Sequence, residues 1–144
     1  MNRRIVRGAL AGALLALVPA ISACSTGADA PAAEVAESVA FDASHVSAAA
    51  FAVAAAEEGV TIVDVRTPAE YAEGHLPGAV NIDVSGGDFE AQVSALDPEA
   101  EYAVYCRSGS RSRAAIDIMT GAGVEHTVGL EGGIGAWTGD VVTG

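Results

Sequence analysis

Twice in this chain a short β-branched or aromatic run leads into a helix start, and that alternation restricts the fold more than any other feature. Residues 60–65 (Val-Thr-Ile-Val-Asp-Val) follow Gly59 and precede Thr67-Pro68-Ala69-Glu70. The first is a buried strand by composition. The second is a capping box with proline at the first helical position, so a short helix runs to about Glu73. Residues 102–105 (Tyr-Ala-Val-Tyr) read as another buried strand, and residues 112–119 (Ser-Arg-Ala-Ala-Ile-Asp-Ile-Met) as the helix after it, ending near Gly121 to Gly123. Between and around these lie further elements. A helix is predicted over 47–58, with Ser44 or Ser47 as its cap and Gly59 as its stop. Gly74-His75-Leu76-Pro77-Gly78 is a loop. A short strand is predicted over 79–83, a helix over 89–96 closed by Asp97-Pro98, and a last strand over 125–128. Gly132-Gly133 opens a final turn or short helix that carries Trp137. Strands alternating with helices predict an α/β domain with a largely parallel central sheet. Ligands of such sheets bind beyond the carboxyl ends of the strands.

The folded part is expected to occupy residues 41–144 of the 144. Ahead of it, Arg3, Arg4 and Arg7 form a basic start, a mostly apolar Ala-Leu-Val stretch follows to Pro19, and Ile21-Ser22-Ala23-Cys24 comes next. This order reads as an export signal over 1–23, too short and too processable for a permanent membrane span. It resembles a bacterial lipobox, which implies cleavage before Cys24 and lipidation of its sulfur. The protein is then expected on the outer face of the bacterial cytoplasmic membrane, held there by its lipid. The alternative is an ordinary secretory signal cut after Ala23. Residues 25–40 are small and acidic and are expected to be a flexible tether.

Removing the signal leaves Arg66, Arg107, Arg111 and Arg113 as the only basic residues beyond it besides histidine, against 19 Asp and Glu. Nucleic acid is excluded as a partner, because binding it needs a basic footprint. Three of those arginines fall within residues 106–113, so an anion is repelled nearly everywhere but there. The same segment holds Cys106. With Cys24 lipidated, Cys106 has no disulfide partner. It stands on a loop, Cys106-Arg107-Ser108-Gly109-Ser110-Arg111, that leads into a helix N-terminus. Free backbone N–H groups and the positive end of the helix dipole gather at such a point. That setting lowers a thiol's pKa from ~8.5 into the range ~3.5–7.5. The segment therefore predicts a nucleophilic thiolate in an anion cradle, with Gly109 allowing the tight turn.

These residues carry a family resemblance. Ile62-Val63-Asp64-Val65-Arg66-Thr67-Pro68-Ala69-Glu70-Tyr71 with Gly74-His75-Leu76-Pro77-Gly78-Ala79-Val80-Asn81-Ile82 resembles the N-terminal signature of rhodanese domains. Residues 106–112 resemble their active-site loop, and Leu130-Glu131-Gly132-Gly133-Ile134 through Ala136-Trp137 their C-terminal signature. The three blocks keep family order and spacing over roughly residues 41–144; Gly139-Asp140 departs from the usual ending. The resemblance implies a single-domain rhodanese, with a parallel five-stranded sheet flanked by helices on both faces. It implies sulfur transfer through a persulfide on Cys106, from thiosulfate or a persulfide donor to a thiol or cyanide. The backbone amides of Arg107, Ser108, Gly109, Ser110, Arg111 and Ser112 would surround the sulfur. Arg107 and Arg111 would bind the anionic donor. No metal or organic cofactor is implied, and a monomer is expected.

Other readings use some of the same residues. Cysteine phosphatases and arsenate reductases place five residues between cysteine and arginine. Here four lie between Cys106 and Arg111, which suits a single sulfur atom better than a tetrahedral oxyanion. A binding module, or a persulfide carrier serving a partner protein, would keep the same fold. Asp64 and Arg66, at a strand end, are candidates for supporting roles and can pair with each other or with the loop. His75 is a candidate to line the site, although such a histidine is commonly structural. His45 and His126 lack metal-ligand spacing with Cys106. Glu131 is a weaker candidate to face the cleft, and Trp137 is expected to fill the core or cover the last helix.

Overall fold

A computed structural model describes residues 38–144. The expected signal segment, Cys24 and nearly all of the tether lie outside the described residues. Strands β1 (His45–Val46), β2 (Thr61–Asp64), β3 (Val80–Asn81), β4 (Tyr102–Tyr105) and β5 (Thr127–Leu130) alternate with helices α1 (Ala48–Ala55), α2 (Pro68–Glu73), α3 (Phe89–Val93) and α4 (Ser110–Gly121). A 3-10 turn, Gly133–Ala136, closes the chain's last loop. All the strand pairs are parallel, in the order β1-β5-β4-β2-β3. The α/β architecture is the one the sequence predicts, and the parallel five-stranded sheet is the one the resemblance implies.

β4 sits at the centre, and each of its residues is buried. It is covered on both faces, which is why it is apolar throughout rather than alternating with polar residues. The period of two still sorts its side chains. Tyr102, Val104 and, one step past the strand, Cys106 enter the core beneath α3 and α4, with Phe89, Val93, Ala115, Ile116 and Met119. Ala103 and Tyr105 enter the other core, with Phe51 and Ala54 of α1 and Val128 and Leu130 of β5. Trp137 packs edge-on to Phe51, ring centroids 6.2 Å apart, so it closes the α1 side of the core.

Several boundaries depart from expectation: α1, predicted to Glu58, ends at Ala55, where Ala56 and Glu57 N–H bond three residues back. β1 reads in the sequence only as the approach to a helix, and two residues are too few to show a period. β5 begins at Thr127 instead of Glu125. Val124 is buried and its N–H bonds Met119 O at 2.9 Å, so the chain is still leaving α4 there, and pairing with β4 starts at Tyr102↔Thr127. α3 stops at Val93 because the next N–H groups, of Ala95 and Leu96, bond three residues back, tightening the helix into a turn.

Candidate active site

The Cys106 loop starts where β4 ends and finishes as α4 begins. Gly109 caps the helix at φ 95°, a left-handed conformation that glycine adopts without strain. That turn aims its N–H at the sulfur, 3.0 Å from Cys106 Sγ. The thiol in turn donates to Ser112 Oγ, 3.7 Å away, and the Ser112 hydroxyl reaches Gly109 O at 3.1 Å. Burial alone would push the thiol up. The backbone N–H groups of Ser112, Ser108 and Gly109, with the Ser112 hydroxyl, outweigh it and hold Cys106 below its ordinary value. Cys106 and Ser112 are buried, whereas Arg107, Ser108 and Ser110 are exposed.

The loop is held from below by the glycine-rich turn after β5. Ile134 N–H bonds Cys106 O at 2.8 Å, and Gly135 N–H bonds Arg107 O at 3.2 Å. Gly133, buried at φ 60°, sits so close that a Cβ there would strike Cys106 O and the Arg107 carbonyl. Close approach is thus the reason for glycine at this point of the chain.

The three arginines of the segment are not equivalent. Arg111 is held by Glu70 of α2 in a bidentate pair, Nη1 to Oε2 and Nη2 to Oε1, both 2.7 Å. Glu70 also accepts from Thr67 N–H at 3.2 Å and Thr67 Oγ1 at 3.0 Å, so the capping box aims the carboxylate. The Arg111 guanidinium, helped by these Thr67 donors and against the effect of burial, holds the Glu70 carboxyl down at about 2. Arg113 Nη2 lies 3.9 Å from Glu131 Oε1 on the surface, and its Nη1 donates to Gly109 O at 3.3 Å. Arg107 is exposed and has no ion pair among the described residues. The cationic cluster read from the sequence is therefore partly neutralised. Glu70 was legible only as a cap, because nothing in its spacing shows that its carboxylate meets a residue on another helix. Glu131 is exposed and its contact is with Arg113.

The structure gives the supporting candidates structural partners. Arg66 Nε and Nη2 clamp the fully buried Asp64 carboxylate, the shortest contact being 2.6 Å, and Nη2 also donates to Gly74 O at 2.6 Å. Arg66 lies over the Tyr105 ring, 5.6 Å from its centre, and the Tyr105 hydroxyl accepts from Leu76 N–H at 3.1 Å. Asp64 and Arg66 thus pin the loop that follows α2 to the end of β2. His75 stacks on Tyr71 with ring centroids 3.7 Å apart, its Nδ1 lies 3.0 Å from Tyr71 O, and its backbone pairs with Val142. None of the three has a hydrogen bond to Cys106 among the described residues. His45, set aside in the sequence as a metal ligand, does reach the site: its Nε2 is 2.9 Å from Ser112 Oγ.

Comparisons with known proteins agree with this geometry. Residues 47–140 match the family model described as a rhodanese-like domain. The chain is 40% identical to YtwF of Bacillus subtilis over 85 residues, which is 59% of this chain and 80% of that protein. It is 34% identical over 87 residues to the thiosulfate sulfurtransferase GlpE of Pseudomonas entomophila, covering 60% of this chain and 77% of the relative. Among solved structures, the rhodanese-related protein of Thermoplasma volcanium superposes with a TM-score of 0.60 at 31% identity, covering 68% of this chain and 96% of that one. The match over residues 47–140, with a parallel five-stranded sheet whose central strand leads into Cys106, places the chain in the rhodanese-like family of sulfurtransferases.

Proposed function

We propose that Cys106 is the nucleophile and that it carries a sulfane sulfur from an anionic donor, thiosulfate or a persulfide, to a thiol or cyanide. The observation that supports this most is the Gly109 N–H, 3.0 Å from Sγ at the head of α4. A thiolate attacks the outer sulfur of thiosulfate; an S–S bond to Sγ forms as the donor's S–S bond breaks, and sulfite leaves with the electron pair. An acceptor thiolate or cyanide then attacks the outer sulfur of the persulfide, and Cys106 departs as the thiolate. The amides of Ser108, Gly109 and Ser112 suit both anions, the thiolate and the terminal persulfide sulfur. Arg107 is the charge available to the donor, and Arg111, shared with Glu70, supports the loop from behind.

Mass spectrometry after thiosulfate treatment is expected to show one added sulfur on Cys106, and none in Cys106→Ser. Arg107→Ala is expected to slow loading by about 10-fold, the effect of losing one charge-assisted contact of ~1.5 kcal/mol. Equal loading of wild type and Cys106→Ser would overturn the assignment. The resemblance of residues 1–24 to a lipobox supports a place on the outer face of the cytoplasmic membrane. Labelled fatty acid is then expected on the full chain and lost in Cys24→Ala; label that persists there refutes the anchor.

A further inference from the structure

His45 stands in a seat built for it. It pairs with Gly129 across β1 and β5. A Cβ at residue 129 would run into Cε1, Nε2 and Nδ1 of the imidazole. Glycine inside a buried strand is otherwise a cost, since it packs nothing and gives up more chain entropy than other residues. Here it opens the space that lets the ring lie over the sheet and point Nε2 at Ser112 Oγ, 2.9 Å away. Ser112 Oγ is at the same time 3.7 Å from Cys106 Sγ. The three side chains form a line from the thiol to the ring. The ring also borders an opening of about 340 Å³ lined by Ala43, Arg113, Ile116 and Asp117.

We propose that His45 is a positioning residue for Cys106, taking the thiol's proton through the Ser112 hydroxyl and then holding that hydroxyl toward the thiolate. The serine hydroxyl turns from Gly109 O to His45 Nε2, and the proton leaves Sγ for Ser112 Oγ as the serine's own hydrogen passes to Nε2, so no proton is gained or lost. The imidazolium N–H then donates to Ser112 Oγ, and the serine's hydrogen faces the sulfur instead of Gly109 O. The inference rests on the reading of Cys106 as the nucleophile. Burial, and after it the charge of Arg113, hold His45 below its ordinary value, while Glu131 and Asp117 pull the other way; the ring therefore starts neutral, and the charge of the thiolate formed along with it must offset this lowering when the proton arrives. On the thiol side the charge of Arg111 acts on Cys106, and Arg111 in turn feels Glu70, its ion-pair partner, and Asp83. Sequence alone hides this device, because serine, histidine and glycine come from three separate elements.

The test is the pH midpoint of the thiolate's ultraviolet absorbance in the full chain, taken as the difference from Cys106→Ser so that Cys24 cancels. His45→Phe keeps the ring's bulk over Gly129 and is expected to raise the midpoint by about one pH unit, leaving roughly 10-fold less thiolate well below it. If that variant fails to fold, His45→Gln, which cannot take up the proton, is expected to raise it as well. In a Ser112→Ala background the His45 substitution is expected to add nothing, since its route to the thiol is gone. His126→Asn, on the exposed surface, leaves the midpoint where it was. An unmoved midpoint in a folded His45 variant, or an equal shift with Ser112 already removed, overturns the proposal. Sulfur loading of the same variants separates the two readings. Persulfide on Cys106 with an unmoved midpoint sinks the relay alone. A His45-dependent midpoint without any loading sinks the transferase assignment alone.

Discussion

Asp64→Ala is expected to cost about 3–5 kcal/mol of folding stability, the usual penalty for stranding one partner of a buried ion pair. Asp64 is fully buried, and Arg66 is nearly so. With the carboxylate gone, the guanidinium keeps only Gly74 O, 2.6 Å from Nη2, and the face of Tyr105. A charge out of water with one acceptor is the expensive state, not the absence of the pair. Asp64→Ala with Arg66→Met is therefore expected to recover most of the loss, because both charges leave together. Urea unfolding of the two variants decides the matter. A single-variant loss under ~1 kcal/mol would mean that water reaches Arg66 and that the clamp does not hold the chain after α2.

Gly133→Ala is expected to cost about 2–4 kcal/mol and to disturb the thiol as well. Two separate penalties meet there. One is the left-handed backbone at φ 60°, worth ~1 kcal/mol to a residue with a Cβ. The other is overpacking, ~1–3 kcal/mol, because the methyl would occupy the space of Cys106 O and the Arg107 carbonyl. Gly123 separates them: it has φ 93° and nothing within 4 Å of a built Cβ. Gly123→Ala is expected to lose only the ~1 kcal/mol of backbone strain and to leave the thiol's midpoint alone. The extra loss in Gly133→Ala, with a raised midpoint as the loop amides move off the sulfur, measures the contact. Equal losses in the two variants would show that the glycine-rich turn does not hold the loop.

What the sequence made legible was local. The run at residues 60–65, the capping box at Thr67 and the step from Tyr105 through Cys106 into a helix are each written in neighbouring residues, and each appears as predicted within a residue or two. Strand β1 was not legible bottom-up, since His45 and Val46 are ordered by β5, far along the chain. Charge counting found the arginine cluster but not its neutralisation, because the partner of Arg111 is Glu70 on another helix. Arg66 and Asp64 were visible as a strand end, and their partnership with each other needed only a turn of backbone. His45, Ser112 and Gly129 carried no shared signal: a histidine, a serine and a strand glycine look ordinary until the sheet order places them side by side.

That order also fixes when the site can exist. Among the described residues β1 comes first, β5 comes last and is the one neighbour of β1 in the sheet, and β5 in turn seats β1 beside β4. A chain still emerging from synthesis can pair β2, β3 and β4, yet β1 stays without a partner until the final strand arrives. Long-range parallel pairing of this kind is slow to form. The Cys106 loop receives its lower support, from Ile134 and Gly135, in the same last stage. A truncated or half-folded chain is therefore expected to lack the two hydrogen bonds that hold the Cys106 loop from below.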